Sequence, residues 1–387
     1  MSRRLTRTLL ALVLALAAAG LMVVVTQSPA SRLSSDFTIN YSAGMLVRQG
    51  HLAAPYQQAE LGDAMRRAAP AGAIDPRLPF SLPLGAALPY AVLSLLPIEL
   101  AFRLWQLITI ALIVIAVLLL QGAFPQPRAR GWALLGLLAA IPTWATLTEG
   151  QPTAWLFLGG AMVVSVLRRD SPALAAGAGL LLAVKPQYLP AYLVILFAAR
   201  RWRSLAAAVA GASLLLLSPL LGGGAGLSAM VHNALSANQV VAVRLNESWI
   251  GVIGPALPAS IATAVAIILY LGVLGALLVL AWRRPTPVIG FAALAGALTV
   301  LASPHALPHD LLILAVPAWL AMVLYREGAL PNPLPGLLAV DIALLIDLRG
   351  VDLPLGPIVM TAVVAWYGWR FRQRAAQRRR PPIGQAA

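Results

Sequence analysis

Leu9–Val25 reads LLALVLALAAAGLMVVV, and after a polar break at Gln27 the chain continues as SSDFTINYSAG over Ser34–Gly44. An uncharged apolar run close to the ~20 residues a bilayer requires reads as a membrane helix. The run ends eleven residues before Asp36, the first acidic residue of the chain, so a carboxylate is held near the head groups. A carboxylate is costly in the apolar phase and cheap at the interface, which makes it a functional candidate. Asp36 or Ser35 can equally be the N-cap of an interfacial helix, accepting backbone N–H groups. Both readings stay open on local evidence. Arg3, Arg4 and Arg7 ahead of the run also fit a cleaved signal peptide, but many apolar segments follow. The run is therefore expected to be an uncleaved first span with its N-terminus in the cytoplasm.

The same pattern governs the whole sequence. The 387 residues are 60% hydrophobic and 11% charged, with a mean hydropathy of +0.83, whereas soluble domains carry about 25% charged residues. Lipid leaves only helices and closed barrels, and these runs are too long for barrel strands. The expected fold is all-α, one polytopic transmembrane helical bundle over residues 1–387 with about 11–13 membrane segments. Residues 28–79 form a first extracytoplasmic loop carrying helices on the membrane surface, and residues 370–387 form a basic cytoplasmic tail. There are 28 basic and 13 acidic residues, a net charge of +15. The basic residues cluster between apolar runs, so topology and anionic membrane lipids account for them and nucleic acid is not an expected partner. No cysteine is present, which excludes disulfides and thiolate metal sites.

The positive-inside rule puts Arg168/Arg169, Arg200/Arg201/Arg203, Arg283/Arg284 and Arg326 in the cytoplasm. It leaves Thr148–Gln151, residues 222–255 and Ser303–Asp310 on the outer side with Asp36. Two apolar runs between Pro79 and Gln121 would put Arg128 and Arg130, which the same rule assigns to the cytoplasm, outside if both span, so either one run is partly inserted or the Arg168 pair sits outside.

Polar residues gather at segment ends on that one side: Asp36, Asn40, Tyr41, Glu149, Gln151, Asn238, Asn246, Glu247, Ser248, His305, His309 and Asp310. A channel or carrier would distribute them through the midplane. Their placement suits an enzyme whose site opens at a leaflet boundary. Two of the four histidines lie in Ser303-Pro304-His305-Ala306-Leu307-Pro308-His309-Asp310, where a His can bind phosphate or move a proton. Asp310 can instead cap the helix that follows. Too few carboxylates accompany the pair for a metal site, and neither metal nor cofactor is expected. Lys185 is the only lysine. Pro186 is expected to divide the apolar run around it, and Lys185 either snorkels to head groups or pairs with a lipid phosphate. Glu149-Gly150-Gln151-Pro152 opens a helix whose N-terminus can face an anion.

In order along the chain, these stretches resemble glycosyltransferase family 87, the polyprenol-phosphate-mannose-dependent mannosyltransferases of the GT-C superfamily. The resemblance is carried by Asp36-Phe37 with Tyr41 and Gly44, Pro55-Tyr56, Leu78-Pro79-Phe80 through Leu96-Pro97, and Gly150-Gln151. It continues through Lys185-Pro186-Gln187, Arg201-Trp202-Arg203, Asn246-Glu247-Ser248 and Ser303-Pro304-His305 with His309-Asp310. The family's usual Tyr-Pro-Pro is here Leu78-Pro79-Phe80, and its usual Asn-Gln-Ser is Asn246-Glu247-Ser248. The resemblance implies a GT-C-like bundle and an inverting hexosyltransferase of the inner membrane with an extracytoplasmic site. It also implies a polyprenyl-phosphate sugar donor and a lipid or glycan acceptor. Asp36 and His305 are then the catalytic pair, with Asp36 as base. Lys185, His309 and Arg244 are the donor-phosphate ligands, and Asn40, Tyr41, Gln151, Asn246, Glu247 and Asp310 bind substrate. Two rival functions are a carrier or flippase for lipid-linked sugars and a non-catalytic membrane assembly factor.

Overall fold

The computed structural model describes residues 3–70, 74, 75, 77–125, 129–240, 245–283, 287–348 and 354–378, and every regular element among them is helical. The first apolar run forms α1 (Arg3–Thr26). The polar loop after it folds into α2 (Pro29–Leu33), α3 (Asp36–Arg48) and α4 (Gln58–Ala68). Helix α4 buries Leu61, Ala64 and Met65 at helical spacing and exposes Glu60, Asp63, Arg66 and Arg67, as a surface helix should.

Helix α3 differs: Phe37 to Gly44 are buried without interruption. It packs against α5 (Leu88–Leu93), and a Cβ at Gly44 would sit 2.4 Å from the Tyr90 carbonyl carbon. Only glycine lets the two backbones touch there. Phe37, Tyr41, Tyr90, Phe102 and Trp105 close into one aromatic cluster, with Phe37 and Phe102 edge to face at 5.1 Å. The helix that begins at Asp36 is therefore part of the core.

Helix α5 and the 3-10 turn before it are too short to cross a bilayer, whereas α6 (Ile98–Ala123) is long and apolar enough. Of the two runs between Pro79 and Gln121, only the second forms a helix long and apolar enough to span. The chain continues as α7 (Ala129–Ala139), α8 (Ile141–Glu149), α9 (Thr153–Arg168), α10 (Pro172–Leu182), α11 (Leu189–Ala198), α12 (Trp202–Leu216) and α13 (Gly226–Val240). It ends with α14 (Trp249–Ile253), α15 (Ala259–Trp282), α16 (Val288–Leu301), α17 (Ala315–Arg326), α18 (Leu334–Asp347) and α19 (Leu355–Arg378). Four stretches among the described residues can span by length and composition: α6, residues 202–222, α15 and residues 308–326. Several other apolar helices are shorter, and at ~1.5 Å per residue they cover only part of a ~30 Å hydrocarbon core. The break between α10 and α11 falls at Lys185-Pro186, as the proline requires. The basic C-terminal segment is helical from Arg370 to Arg378, the last residue described.

Helices α10 and α12 pack backbone against backbone. A Cβ on Gly179 would lie 1.9 Å from the Ala208 carbonyl oxygen, and one on Gly211 would lie 2.0 Å from that of Ala176. Small residues at such crossings replace a hydrophobic drive that lipid cannot supply. Gly211→Val should force the helices apart, costing at least the roughly 1–3 kcal/mol of an overpacked core. A lowered melting temperature in detergent would report it. Gly272→Ala on α15, where nothing lies within 4 Å, should leave that temperature unchanged.

Candidate functional site

The site is built on the end of α8. Gly150 terminates that helix in the left-handed region (φ 63°, ψ 32°), and the Gln151 N–H turns back to the Thr146 carbonyl at 3.1 Å. A Cβ at Gly150 would lie 2.6 Å from Phe37 Cβ and 3.0 Å from the Phe102 ring. The turn is therefore pressed against the first residues of α3. Its position is fixed from two other elements: Gln106 donates to the Leu147 carbonyl at 3.0 Å, and Gln27 to the Thr148 carbonyl at 2.9 Å.

Three consecutive residues then meet Asp36-Phe37. The Gln151 side-chain amide donates to Asp36 Oδ2, Gly150 abuts Phe37, and the Glu149 carboxyl, pushed up to about 7 first by burial, lies close enough to Asp36 to feel its charge. Asp36 is surrounded by protein yet keeps part of its surface open. Burial pushes its carboxyl above the ordinary carboxylate range, against the Gln151 hydrogen bond and the Lys185 charge, which pull it down.

The facing wall is the Ser303–Leu314 turn. Lys185, at the break between α10 and α11, forms an ion pair with Asp310 Oδ1 and lies 3.3 Å from His309 Nε2. Both ends of the pair are buried, Lys185 at 7% exposure and Asp310 at 0%. The other Asp310 oxygen accepts the Leu307 N–H at 3.2 Å, so Asp310 both caps the 3-10 helix Pro308–Leu314 and neutralises Lys185. Thr146 on α8 donates to the His309 carbonyl at 3.2 Å, which ties the two walls together. The charges of Lys185 and Asp310 both act on Asp36.

His305 is partly open and carries a neutral ring: burial pulls its pKa down to about 4, opposed by Asp310 and reinforced by Lys185. It offers an N–H or a lone pair rather than a positive charge. Its backbone carbonyl accepts from Ser303 at 2.7 Å, Tyr188 at 3.3 Å and Gln187 at 3.4 Å.

The remaining sequence candidates have mostly structural partners. The Asn246 amide accepts the Ala306 N–H at 3.0 Å and donates to the Pro304 carbonyl at 3.1 Å. Ser248 donates to the Ser303 carbonyl at 2.7 Å, so Asn246 and Ser248 hold the turn that presents His305. Glu247 lies toward the start of α19 and Asp347, where burial first and the Asp347 charge second push its carboxyl up to about 8. Tyr41 donates to the Leu96 carbonyl at 2.8 Å, and Asn40 is buried beside the Tyr90 hydroxyl. Arg244 lies outside the described residues. Glu149 was visible in the sequence as one more polar residue at a segment end. Nothing in its spacing revealed that its carboxyl stands near that of Asp36.

The sequence profile of glycosyltransferase family 87 matches residues 80–304, more than half of the chain. The chain belongs to glycosyltransferase family 87. It is a membrane glycosyltransferase. No curated protein and no solved structure matches it. The region shared with family 87 contains the Glu149–Gln151 turn, Lys185 and Asn246–Ser248, but begins after Asp36 and ends just before His305.

In this family 87 chain, removing one partner of the Lys185–Asp310 pair strands a buried charge, a loss of roughly 3–5 kcal/mol. Lys185→Met should therefore lower thermal stability in detergent sharply. Adding Asp310→Asn removes the stranded charge, keeps an acceptor for Leu307, and should restore most of the loss.

Proposed function

We propose that this chain is an inverting glycosyltransferase that moves a hexose, mannose, from a polyprenyl phosphate to a lipid or glycan acceptor. The reaction takes place at the outer face of the inner membrane. The observation that carries this reading is a single one: the Asp36 carboxylate, gripped by Gln151 and still partly exposed, lies within electrostatic reach of Lys185.

Asp36 takes the proton of the acceptor hydroxyl. The acceptor oxygen forms its bond to the anomeric carbon on the face opposite the phosphate, and the bond from that carbon to the phosphate oxygen breaks. The electron pair leaves with the polyprenyl phosphate. A base raised above the usual carboxylate range is better matched to this proton transfer, and burial provides that shift. The leaving phosphate gains negative charge, so fixed donors around it lower the barrier. An ammonium has three N–H donors. At Lys185 one is taken by Asp310 and one faces His309, which leaves the third for phosphate. The neutral His305 ring adds an uncharged hydrogen bond.

Asp36→Asn tests the assignment. With radiolabelled polyprenyl-phosphate mannose as donor and envelope lipid extract as acceptor, it should lower kcat by roughly 10²–10⁴-fold, the usual contribution of a general base. Full turnover by the variant overturns the assignment, and sugar lipid crossing vesicles with no glycosidic product would select a carrier instead. In the wild type the rate should fall as pH drops through the Asp36 pKa, because only the ionised form accepts a proton. That acid limb should lie above the ordinary aspartate value of 3.8.

A further inference from the structure

We propose that Arg32 and Arg103 form a binding site for the phosphate of an anionic glycerophospholipid, beside the turn that holds Asp36. Arg103 lies in the second turn of α6, one of the stretches able to span, and an arginine inside a span calls for a functional partner. Its Nη1 donates to the Gln106 side-chain oxygen at 2.8 Å and to the Val24 carbonyl, in the last turn of α1, at 3.3 Å. Arg32 on α2 reaches the same place. Its Nη1 donates to the Gln27 carbonyl at 2.6 Å, and its Nη2 lies 3.7 Å from Glu99, one turn before Arg103 on α6. Two arginines therefore converge on a patch made by the end of α1 and the start of α6.

Capping accounts for only part of this. A helix C-terminus favours a cation, and each arginine spends one nitrogen on carbonyls at or just beyond the end of α1. Arg103 keeps its Nε and Nη2 without a partner among the described residues, and its side chain is partly open. The Arg32 Nε is enclosed and has no acceptor there either. The acid at this patch, Glu99, has a side chain 52% exposed, and so exposed an ion pair is worth little. Two positive charges thus face one weakly held negative charge. Leu100 and Leu104 of α6 and Val25 of α1, next to these residues in the chain, are exposed apolar side chains. An anionic phospholipid suits both features: its phosphate matches the planar N–H fork of a guanidinium, and its chains cover the apolar surface. The phosphate placed at Lys185 belongs to the facing wall, with Asp310 and His309; this one belongs to α1, α2 and α6.

Each arginine is joined to the turn through a glutamine. Arg32 bonds to the main chain of Gln27, whose side chain donates to the Thr148 carbonyl at 2.9 Å. Arg103 bonds to the Gln106 side chain, which donates to the Leu147 carbonyl at 3.0 Å. Those carbonyls come immediately before Glu149, Gly150 and Gln151, and Gln151 grips Asp36. A phosphate that fixes the two arginines also steadies this turn, so turnover should depend on the lipid. That consequence rests on the reading of Asp36 as the base, whereas the binding site does not.

The test uses the full-length protein. The apparent Kd for phosphatidylglycerol is read by native mass spectrometry from micelles, and melting temperature and turnover are compared in phosphatidylcholine nanodiscs with and without phosphatidylglycerol. Arg32→Gln and Arg103→Gln should each weaken phosphatidylglycerol binding by about tenfold or more, the loss of a charge-assisted hydrogen bond. Arg283→Gln, exposed at the end of α15, should not. Glu99→Gln should tighten binding roughly two- to fivefold, the order of an exposed ion pair, and it keeps the test decisive if an arginine variant folds poorly. Phosphatidylglycerol should raise the melting temperature and turnover of the wild type, and Arg103→Gln should lose both increments. Arginines that only cap α1 would lower the melting temperature of the variants but leave lipid affinity and both increments intact, which overturns the inference. An unchanged affinity in Glu99→Gln also overturns it, as does a site where Arg103→Gln weakens polyprenyl phosphate or inorganic phosphate but not phosphatidylglycerol. If Asp36→Asn is inactive while the arginine variants bind lipid normally, only this inference falls. If Asp36→Asn turns over fully while the affinities shift as expected, the base reading falls and the lipid site stands.

Discussion

The contact between the left-handed turn at Gly150 and the first residues of α3 is the constraint on which the site depends. A side chain at Gly150 would meet Phe37 and Phe102 below ordinary contact distance, and a non-glycine residue in that backbone region is strained by roughly 1–2 kcal/mol besides. Phe37 cannot retreat, because Tyr90, Phe102 and Trp105 pack around it. Two rigid bodies, the aromatic cluster and the end of α8, therefore meet at one point. Asp36 stands at that point.

A second consequence follows from the low dielectric of a helical bundle in lipid. A lone ammonium at the α10–α11 break would be costly to bury, and Asp310 removes that cost by pairing with it. Asp310 can do so because it also serves as the cap of the 3-10 helix Pro308–Leu314, which fixes its backbone before any charge is considered. The proline that breaks the helix at Lys185 and the cap at Asp310 are separate backbone events. Together they bring opposite charges into contact within reach of Asp36.

Much of this was legible in the sequence. The apolar runs with few charges dictate a helical membrane protein, and Pro186 marks the division of α10 from α11. The two readings of Asp36 were never exclusive, since it opens α3 and is also still partly exposed. Asp310 likewise combines the cap and the ion-pair roles. What local pattern could not show was the partner of each polar group, because hydrogen bonds such as Gln151–Asp36 and Thr146–His309 join distant parts of the chain. The burial of α3 was hidden for a related reason. Its Thr38, Asn40 and Ser42 look solvated in sequence, but α5 and the aromatic cluster cover them.

The placement of Asn246-Glu247-Ser248 bears on how the two halves of the chain cooperate. Asn246 and Ser248 bind the backbone of the 303–306 turn, while the Glu247 N–H donates to the Ala306 carbonyl at 2.6 Å. The Glu247 side chain reaches the other way, to Asp347, whose carboxylate accepts the Leu355 and Gly356 N–H groups at the start of α19 at 2.7 and 2.6 Å. Because burial raises the Glu247 carboxyl to about 8, it is mostly neutral at physiological pH and adds little repulsion beside Asp347. A glutamine would match that neutral form in shape. The link it makes between the His305 turn and the pair α18–α19 is therefore one of packing, not of charge. The pair lies beyond the segment shared across family 87, yet it buttresses the turn that carries His305.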